Sequence, residues 1–245
     1  MPTNYDPIAA LYQLSKQQPW RTHIEAFTFL ELIGDPTGKS VLDVACGEGF
    51  YTRMIRQRGA ARVTGVDLST GMIELARKQE ADHQLGIDYQ IGDACNLAIS
   101  REFDLVIAAY LLNYARDRGE LRAMCNGIAR TLKPGGRFIT VNTNPAMHFP
   151  TAPSFRKYGI EATSTGEWRE GSPIQWKFYL GDNTFEIENY HLDRAAHEEA
   201  LLAAGFQNIH WHGPRLSSQG EAEFGPEFWS LLMTQCPVTF LECTR

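Results

Sequence analysis

The sequence predicts an α/β protein built on an open, mostly parallel sheet with helices on both faces, and three stretches predict it. Residues 40–52 read SVLDVACGEGFYT: a short apolar run with β-branched members, a glycine turn at Cys46-Gly47-Glu48-Gly49, then a helical pattern with Tyr51, Met54, Ile55 and Arg58 on one face. Residues 63–69 (VTGVDLS) make a second β-branched strand closing on Asp67, twenty residues after Gly47. Residues 103–109 are nearly all apolar, as a strand covered on both faces must be.

Before the sheet, residues 5–12 (YDPIAALY) form a short helical pattern with Pro7 near its start, joined through Pro19-Trp20-Arg21 to a second helix. Thr22-His23-Ile24-Glu25 reads as the capping box of that helix, with Ile24, Phe27, Leu30 and Ile33 inward and Gly34 at its end. Ser69 caps a helix to Gln79 with Met72, Leu75 and Ala76 inward. A third strand at 87–91 leads to Asp93. Leu121, Met124, Cys125 and Ile128 share a face of a helix over 120–132, which Pro134-Gly135-Gly136 ends ahead of a strand at 137–141. Residues 142–171 are polar, carry three prolines and are too long for an ordinary connection, so they are a candidate substrate-covering insertion. Alternation predicts a hairpin of 175–180 and 184–190 about Gly181-Asp182-Asn183. Asp193 caps a helix to Gly205, residues 206–212 are a strand, and 238–241 are a final antiparallel strand.

The 245 residues, 43% of them hydrophobic, suffice for one sizeable core, or one core with a cap. A net charge of -6 and a pI near 5.7 argue against a nucleic-acid partner, whose phosphates need a positive surface. No apolar run approaches the about 18 residues of a membrane span and no signal-peptide pattern opens the chain, so no membrane partner and a cytoplasmic location are expected. Five scattered cysteines read as reduced thiols, Cys46 as a small packing residue. His210 and His212 alternate along a strand without partnering ligands, so no metal is expected.

An acid ending the second strand beside a glycine turn is placed to accept hydrogen bonds from the vicinal hydroxyls of a ribose. A dinucleotide would require a third glycine where Tyr51-Thr52 stand, and Glu48 would repel its pyrophosphate. Asp43 would instead suit a cationic amino group. These residues resemble the class I S-adenosylmethionine-dependent methyltransferases, whose first motif runs Asp/Glu-x-Gly-x-Gly-x-Gly; here it is Asp43-x-Ala45-x-Gly47-x-Gly49, with alanine for the first glycine. Further markers follow in order: Asp67, Gly92-Asp93-Ala94, Phe103-Asp104-Leu105-Val106-Ile107 and Leu132-Lys133-Pro134-Gly135-Gly136. The resemblance spans about residues 20–145.

That resemblance implies a Rossmann-like methyltransferase sheet with an antiparallel last strand, in a single domain 1–245. Residues 1–35 would be an N-terminal helical lid, 36–141 the cofactor-binding core, 142–192 the substrate cap and 193–245 the completion of the sheet. It implies S-adenosyl-L-methionine as cofactor. The glycine turn of Ala45, Cys46, Gly47 and Gly49, with Tyr51, would cradle it. Asp67 would hold the ribose, Leu68 and Met72 would meet ribose and adenine, and Asp93 and Ala94 would read the adenine edge. Ala109, Tyr12 and Asp43 complete the pocket, and Arg21 is a candidate for the methionyl carboxylate, set against a solvated arginine.

Displacement at a methyl carbon on sulfur needs alignment and water exclusion rather than a triad. Tyr5, Tyr12, Tyr110 and Asn113 are positioning candidates, none firmly catalytic. Tyr5, Trp20, Tyr110, Asn113, Trp176 and Tyr179 are candidates for the acceptor site, which the resemblance expects to take a small heteroaromatic molecule, in a monomer or homodimer. The aromatics of the insertion either stack on a flat heterocycle or form a cap core. The opening YDPIAALYQ with PWRTHIEAF, the length and the aromatic insertion are also similar to the toxoflavin-forming branch of this family, which methylates ring nitrogens of an azapteridine twice. Methylation of another small metabolite at oxygen or nitrogen is the alternative. A nicotinamide-dependent oxidoreductase explains Asp67 and the turn but not Asp93 or the missing glycine, and a non-catalytic nucleoside-binding protein would keep all three.

Overall fold

The computed structural model describes residues 8–99 and 102–245. Seven strands form the main sheet: β1 (Ser40–Val44), β2 (Arg62–Asp67), β3 (Asp88–Ile91), β4 (Phe103–Ala109), β5 (Leu132–Thr143), β9 (Gln207–His212) and β10 (Val238–Thr244). Their order is β3-β2-β1-β4-β5-β10-β9. The first five run parallel, and β10 inserts antiparallel to both β5 and β9. Chain direction across the sheet reverses between β1 and β4, and a crevice opens at that point beyond the carboxyl ends of the strands.

The two-residue period of the strands splits the apolar side chains between two cores. Val41, Leu105, Ile107, Ile139 and Val141 face one core, and Leu42, Val44, Val106, Ala108 and Phe138 face the other. Helices α3 (Phe50–Gln57) and α4 (Thr70–His83) cover the first face. Helices α5 (Arg118–Thr131) and α6 (Arg194–Ala203) cover the second. Ser69 accepts from Met72 N at 3.1 Å and so caps α4 as its sequence predicts. Asp117 caps α5, accepting from Glu120 N at 2.9 Å, which starts that helix two residues earlier than expected. Asp193 precedes α6 but caps it with no side-chain bond; its carboxylate meets His191 Nε2 at 3.0 Å instead.

The N-terminal segment departs from expectation. Short helix α1 (Ala9–Ser15) is followed by a helix beginning at Pro19, whose missing N–H costs nothing in a first turn. Arg21–Ala26 then widen into a π-helical turn before α2 (Phe27–Ile33). Thr22 is inside this helix, donating its amide to Gln18 O at 3.2 Å, so the capping box does not form. Glu25 is turned inward instead.

The insertion is ordered rather than irregular. It forms a second sheet of β6 (Ile160–Thr163), β7 (Pro173–Leu180) and β8 (Asn183–Tyr190), all antiparallel. A two-residue turn joins β7 to β8, with Gly181 at φ 61° as a primed hairpin turn demands. Two further helices, α7 (Ser218–Phe224) and α8 (Pro226–Thr234), were not legible in the tail; Trp229 of α8 is fully buried and donates to Gly220 O at 2.8 Å. Gln18 Nε2 donates to the carbonyls of Gly159 (3.0 Å) and Tyr179 (3.1 Å), and Tyr12 packs edge-on to Phe185. These contacts fasten the N-terminal segment to the cap.

Candidate active site

The glycine motif becomes a run of left-handed backbone at every second residue: Ala45 φ 59°, Gly47 φ 55° and Gly49 φ 86°. Each is a position where a Cβ is disfavoured, so the alanine at 45 carries strain. At Gly49 a Cβ would also come within 2.3 Å of the Tyr89 hydroxyl. Asp67, at the end of β2, locks the turn by accepting from Gly47 N at 2.7 Å through Oδ2 and from Ser69 N at 2.9 Å through Oδ1. Burial raises its pKa against those backbone bonds. Two ionised oxygens have about four acceptor sites, so capacity remains for a diol.

A cleft of about 620 Å³ opens over this turn. Its walls bring together Tyr12, Ala45, Gly47, Asp67, Leu68, Met72, Asp93, Ala94, Ala109 and Tyr110, all expected site residues. Leu68 is 59% exposed, an apolar side chain held toward solvent on the cleft wall. Asp93 accepts from Cys95 N at 2.9 Å and opens the short turn Ala94–Asn96. Helix α5 braces that turn through Gly127, where a Cβ would stand 2.0 Å from Ala94 O.

Beside the cleft lies a small cavity of about 10 Å³, walled by Tyr12, Trp20, Arg21, Tyr110, Trp176, Phe178, Ile187 and Asn189. It has room for about one water. Tyr12 and Tyr110 wall both spaces. Tyr110 sits at φ 65°, unusual for a bulky residue, pinned by its amide bond to Val141 O at 2.8 Å.

Beneath these rings Glu25 is fully buried. Arg21 Nη1 donates to both its oxygens at 3.1 Å, Tyr51 donates to Oε1 at 2.7 Å and Tyr110 to Oε2 at 2.5 Å. Burial opposes ionisation, but the fields of Arg21 and Lys16 and the two phenol bonds outweigh it and hold Glu25 below the usual carboxylate range. Sequence reasoning assigned Glu25 to a cap and passed over Lys16. The available signal was the i, i+4 spacing of Arg21 and Glu25.

Several expected site residues lie elsewhere. Asp43 is sealed beneath the turn rather than on the cleft wall, accepts from Thr52 Oγ1 at 2.6 Å and is pushed up to about 7 by burial. Tyr51 points to Glu25, Gly49 fits against Tyr89, and Cys46 packs against Gly65; none of the three walls the cleft. Arg21 borders the small cavity rather than the cleft. Trp20 and Trp176 also wall the small cavity. Tyr179 does not: strand period 2 turns Trp176 and Phe178 inward and Tyr179 outward, where it bonds Glu161 and lies under Arg156. Asn113 is buried, borders neither space, and has no partner for its side-chain amide among the described residues. Tyr5 lies outside the described residues.

Residues 41–136 match the methyltransferase domain family. An S-adenosylmethionine-dependent methyltransferase from Mesorhizobium loti superposes with a TM-score of 0.65 over 94% of this chain and 100% of that one, at 21% identity. The ubiquinone/menaquinone biosynthesis C-methyltransferase UbiE of Desulfotalea psychrophila is 34% identical over 217 residues, covering 84% of this chain and 79% of that protein. The chain belongs to the class I S-adenosylmethionine-dependent methyltransferases. A second relative, the ubiquinone biosynthesis O-methyltransferase of Pseudomonas paraeruginosa, is 29% identical over 162 residues, 59% of this chain and 68% of that one. S-adenosylmethionine is thus the methyl donor of this methyltransferase. Among its described residues no helix is long and apolar enough to cross a membrane.

Proposed function

We propose that this methyltransferase binds S-adenosylmethionine in the cleft over β1, β2 and β4 and methylates a small planar metabolite held beyond Tyr12 and Tyr110. The observation that carries this reading is the sharing of those two rings by the nucleoside-sized cleft and the aromatic cavity. The cleft fits the nucleoside: Asp67 has acceptor sites left for the ribose, Asp93 and the backbone of Ala94 would take the adenine edge, and Leu68 and Met72 would cover the ring. When bound, S-adenosylmethionine supplies a methyl carbon on a positively charged sulfur, an electrophile with a neutral leaving group.

The chain's own work is alignment and exclusion of water. Tyr12 and Tyr110 stand where the two spaces meet, and Trp20, Trp176 and Phe178 give the small cavity an aromatic wall. The closed N-terminal segment leaves room for about one water, so the contacts of Tyr12 and Gln18 with the cap must open to admit a ring, with Lys16 kept beside Glu25.

For the acceptor, the names of the relatives refer to ubiquinone and menaquinone biosynthesis, at carbon and at oxygen. They lend no support to the narrower expectation of an azapteridine. The broader alternative, methylation of another small metabolite, is the reading we adopt. Transfer of labelled methyl to a panel of hydroxyquinols, catechols and azapteridines tests it, with binding of S-adenosylhomocysteine measured by calorimetry on the same protein. No binding of that product would end the proposal. Asp67→Ala is expected to weaken the product's binding by about 1.5–3 kcal/mol through loss of charge-assisted hydrogen bonds; unchanged affinity removes Asp67 from the ribose.

A further inference from the structure

Lys16, Arg21 and Glu25 are only 6%, 3% and 0% exposed. Arg21 Nη1 is 3.1 Å from both Glu25 oxygens and Lys16 Nζ is 3.9 Å from Oε1. Among the described residues two cations therefore share this one carboxylate. Tyr51 and Tyr110 add hydrogen bonds but no negative charge, because burial holds both phenols well above their ordinary range. Among the neighbouring acids, Glu48 pairs with Arg53 at 2.7 Å, Asp67 is turned to two backbone amides, and Asp43, although Lys16 attracts it, is pushed up to about 7 by burial and so supplies at most part of a counter-charge.

Aromatic faces line the excess charge without neutralising it. Lys16 Nζ is 4.9 Å from the Tyr12 ring and 5.3 Å from Tyr51; the Arg21 guanidinium is 5.0 Å from Trp20 and 5.3 Å from Phe178. A buried cation without a counter-charge is costly. Both hydrogen bonds of Arg21 leave from Nη1, and its buried Nε has no partner among the described residues. The guanidinium borders the small cavity.

We propose that this cavity takes an acceptor already in anionic form, a phenolate, enolate or deprotonated ring nitrogen, whose charge completes the Lys16–Arg21–Glu25 cluster. The inference rests on the methyl-transfer reading above. The acceptor's lone pair forms the bond to the methyl carbon while the carbon–sulfur bond breaks with its electron pair on sulfur. An anion and a sulfonium become two neutral molecules, and no proton moves in that step. The cluster acts earlier, by favouring loss of the acceptor's proton to solvent. Consistent with this, no carboxylate or imidazole borders the cavity among the described residues.

The test uses 4-nitrophenol, yellow only as its phenolate, added to the enzyme saturated with S-adenosylhomocysteine at a pH below the probe's own pKa. Binding is expected to develop the yellow colour, and calorimetry to show the probe held about tenfold tighter than neutral 4-nitroaniline of the same outline, the equivalent of one pKa unit. Lys16→Met keeps the Arg21–Glu25 pair and removes the excess charge, so it is expected to abolish both effects while still binding S-adenosylhomocysteine. A probe that binds colourless, one that does not bind, or a Lys16→Met enzyme with its preference intact would each overturn the inference. Loss of S-adenosylhomocysteine binding in the unaltered enzyme would instead sink the methyl-transfer reading.

Discussion

Two carboxyls lie beneath the two spaces of this site, both sealed from solvent, and they are held in opposite states. Asp43, under the glycine turn, has one hydroxyl partner and no ion pair among the described residues, and burial outweighs the distant pull of Lys16 to push its pKa up to about 7. Glu25, under the aromatic cavity, is just as inaccessible, yet Arg21, Lys16 and two phenols keep it ionised. Burial opposes ionisation in both places, and the partners decide which form survives. The turn region is thus organised around a carboxyl on the verge of neutrality, and the N-terminal region around a fixed buried charge.

The largest expected effect separates the two directly. Glu25→Ala strands Arg21 and Lys16 without their anion and is expected to cost about 3–5 kcal/mol of unfolding free energy in urea. Asp43→Ala strands only a threonine hydroxyl and is expected to cost less. Equal losses would break the comparison, because they would mean that Asp43 also serves as a counter-charge.

A smaller effect, visible only as a function of pH, sharpens it. A carboxyl whose pKa is higher folded than unfolded binds its proton more tightly in the native state. Its contribution to stability therefore falls as pH rises from about 4 to about 7 and is flat above, by up to about 4 kcal/mol for a shift of three units. Glu25, with its pKa lowered, has the opposite sign: its contribution is present at neutral pH and lost as pH falls through its folded value. Asp43→Asn keeps an acceptor for Thr52 and cannot ionise. Relative to the unaltered protein it is expected to gain stability steadily between those two pH values, in denaturation curves taken pH by pH. A flat difference would show that Asp43 is ionised throughout.

The same contrast explains what the sequence disclosed. Strand, turn and acid at 40–52 and 67 are set by neighbours along the chain, so their periodicity and spacing are readable, and Asp67, Leu68, Met72, Asp93 and Ala94 all reach the cleft. The Glu25 cluster draws on residues 16, 21, 25, 51 and 110, from three separate segments, and no local pattern announces it. Glu25 was misread because Thr-x-x-Glu is a capping signal when only the local chain is considered, and Pro19 had already started the helix. Tyr179 was misplaced by counting aromatics along β7 without applying the alternation of the strand.

The smallest predicted effect concerns strain alone. Ala45 replaces the first glycine of the motif at φ 59°, a conformation that costs an alanine about 1–2 kcal/mol. Ala45→Gly removes that cost but gives the unfolded chain more freedom, worth about 0.5–1 kcal/mol in the other direction. The expected balance is a gain of about 0.5–1 kcal/mol in urea denaturation, with affinity for S-adenosylhomocysteine unchanged, because the turn keeps its shape. The substitution adds and removes no charge, so the same gain is expected above and below the titration of Asp43. A gain that changes with pH would mean that relaxing the turn alters the burial of Asp43, and strain and protonation would then be one property of that region. A loss of stability would show that the methyl group of Ala45, packed against the core that holds Leu42 and Val44, outweighs the strain it carries.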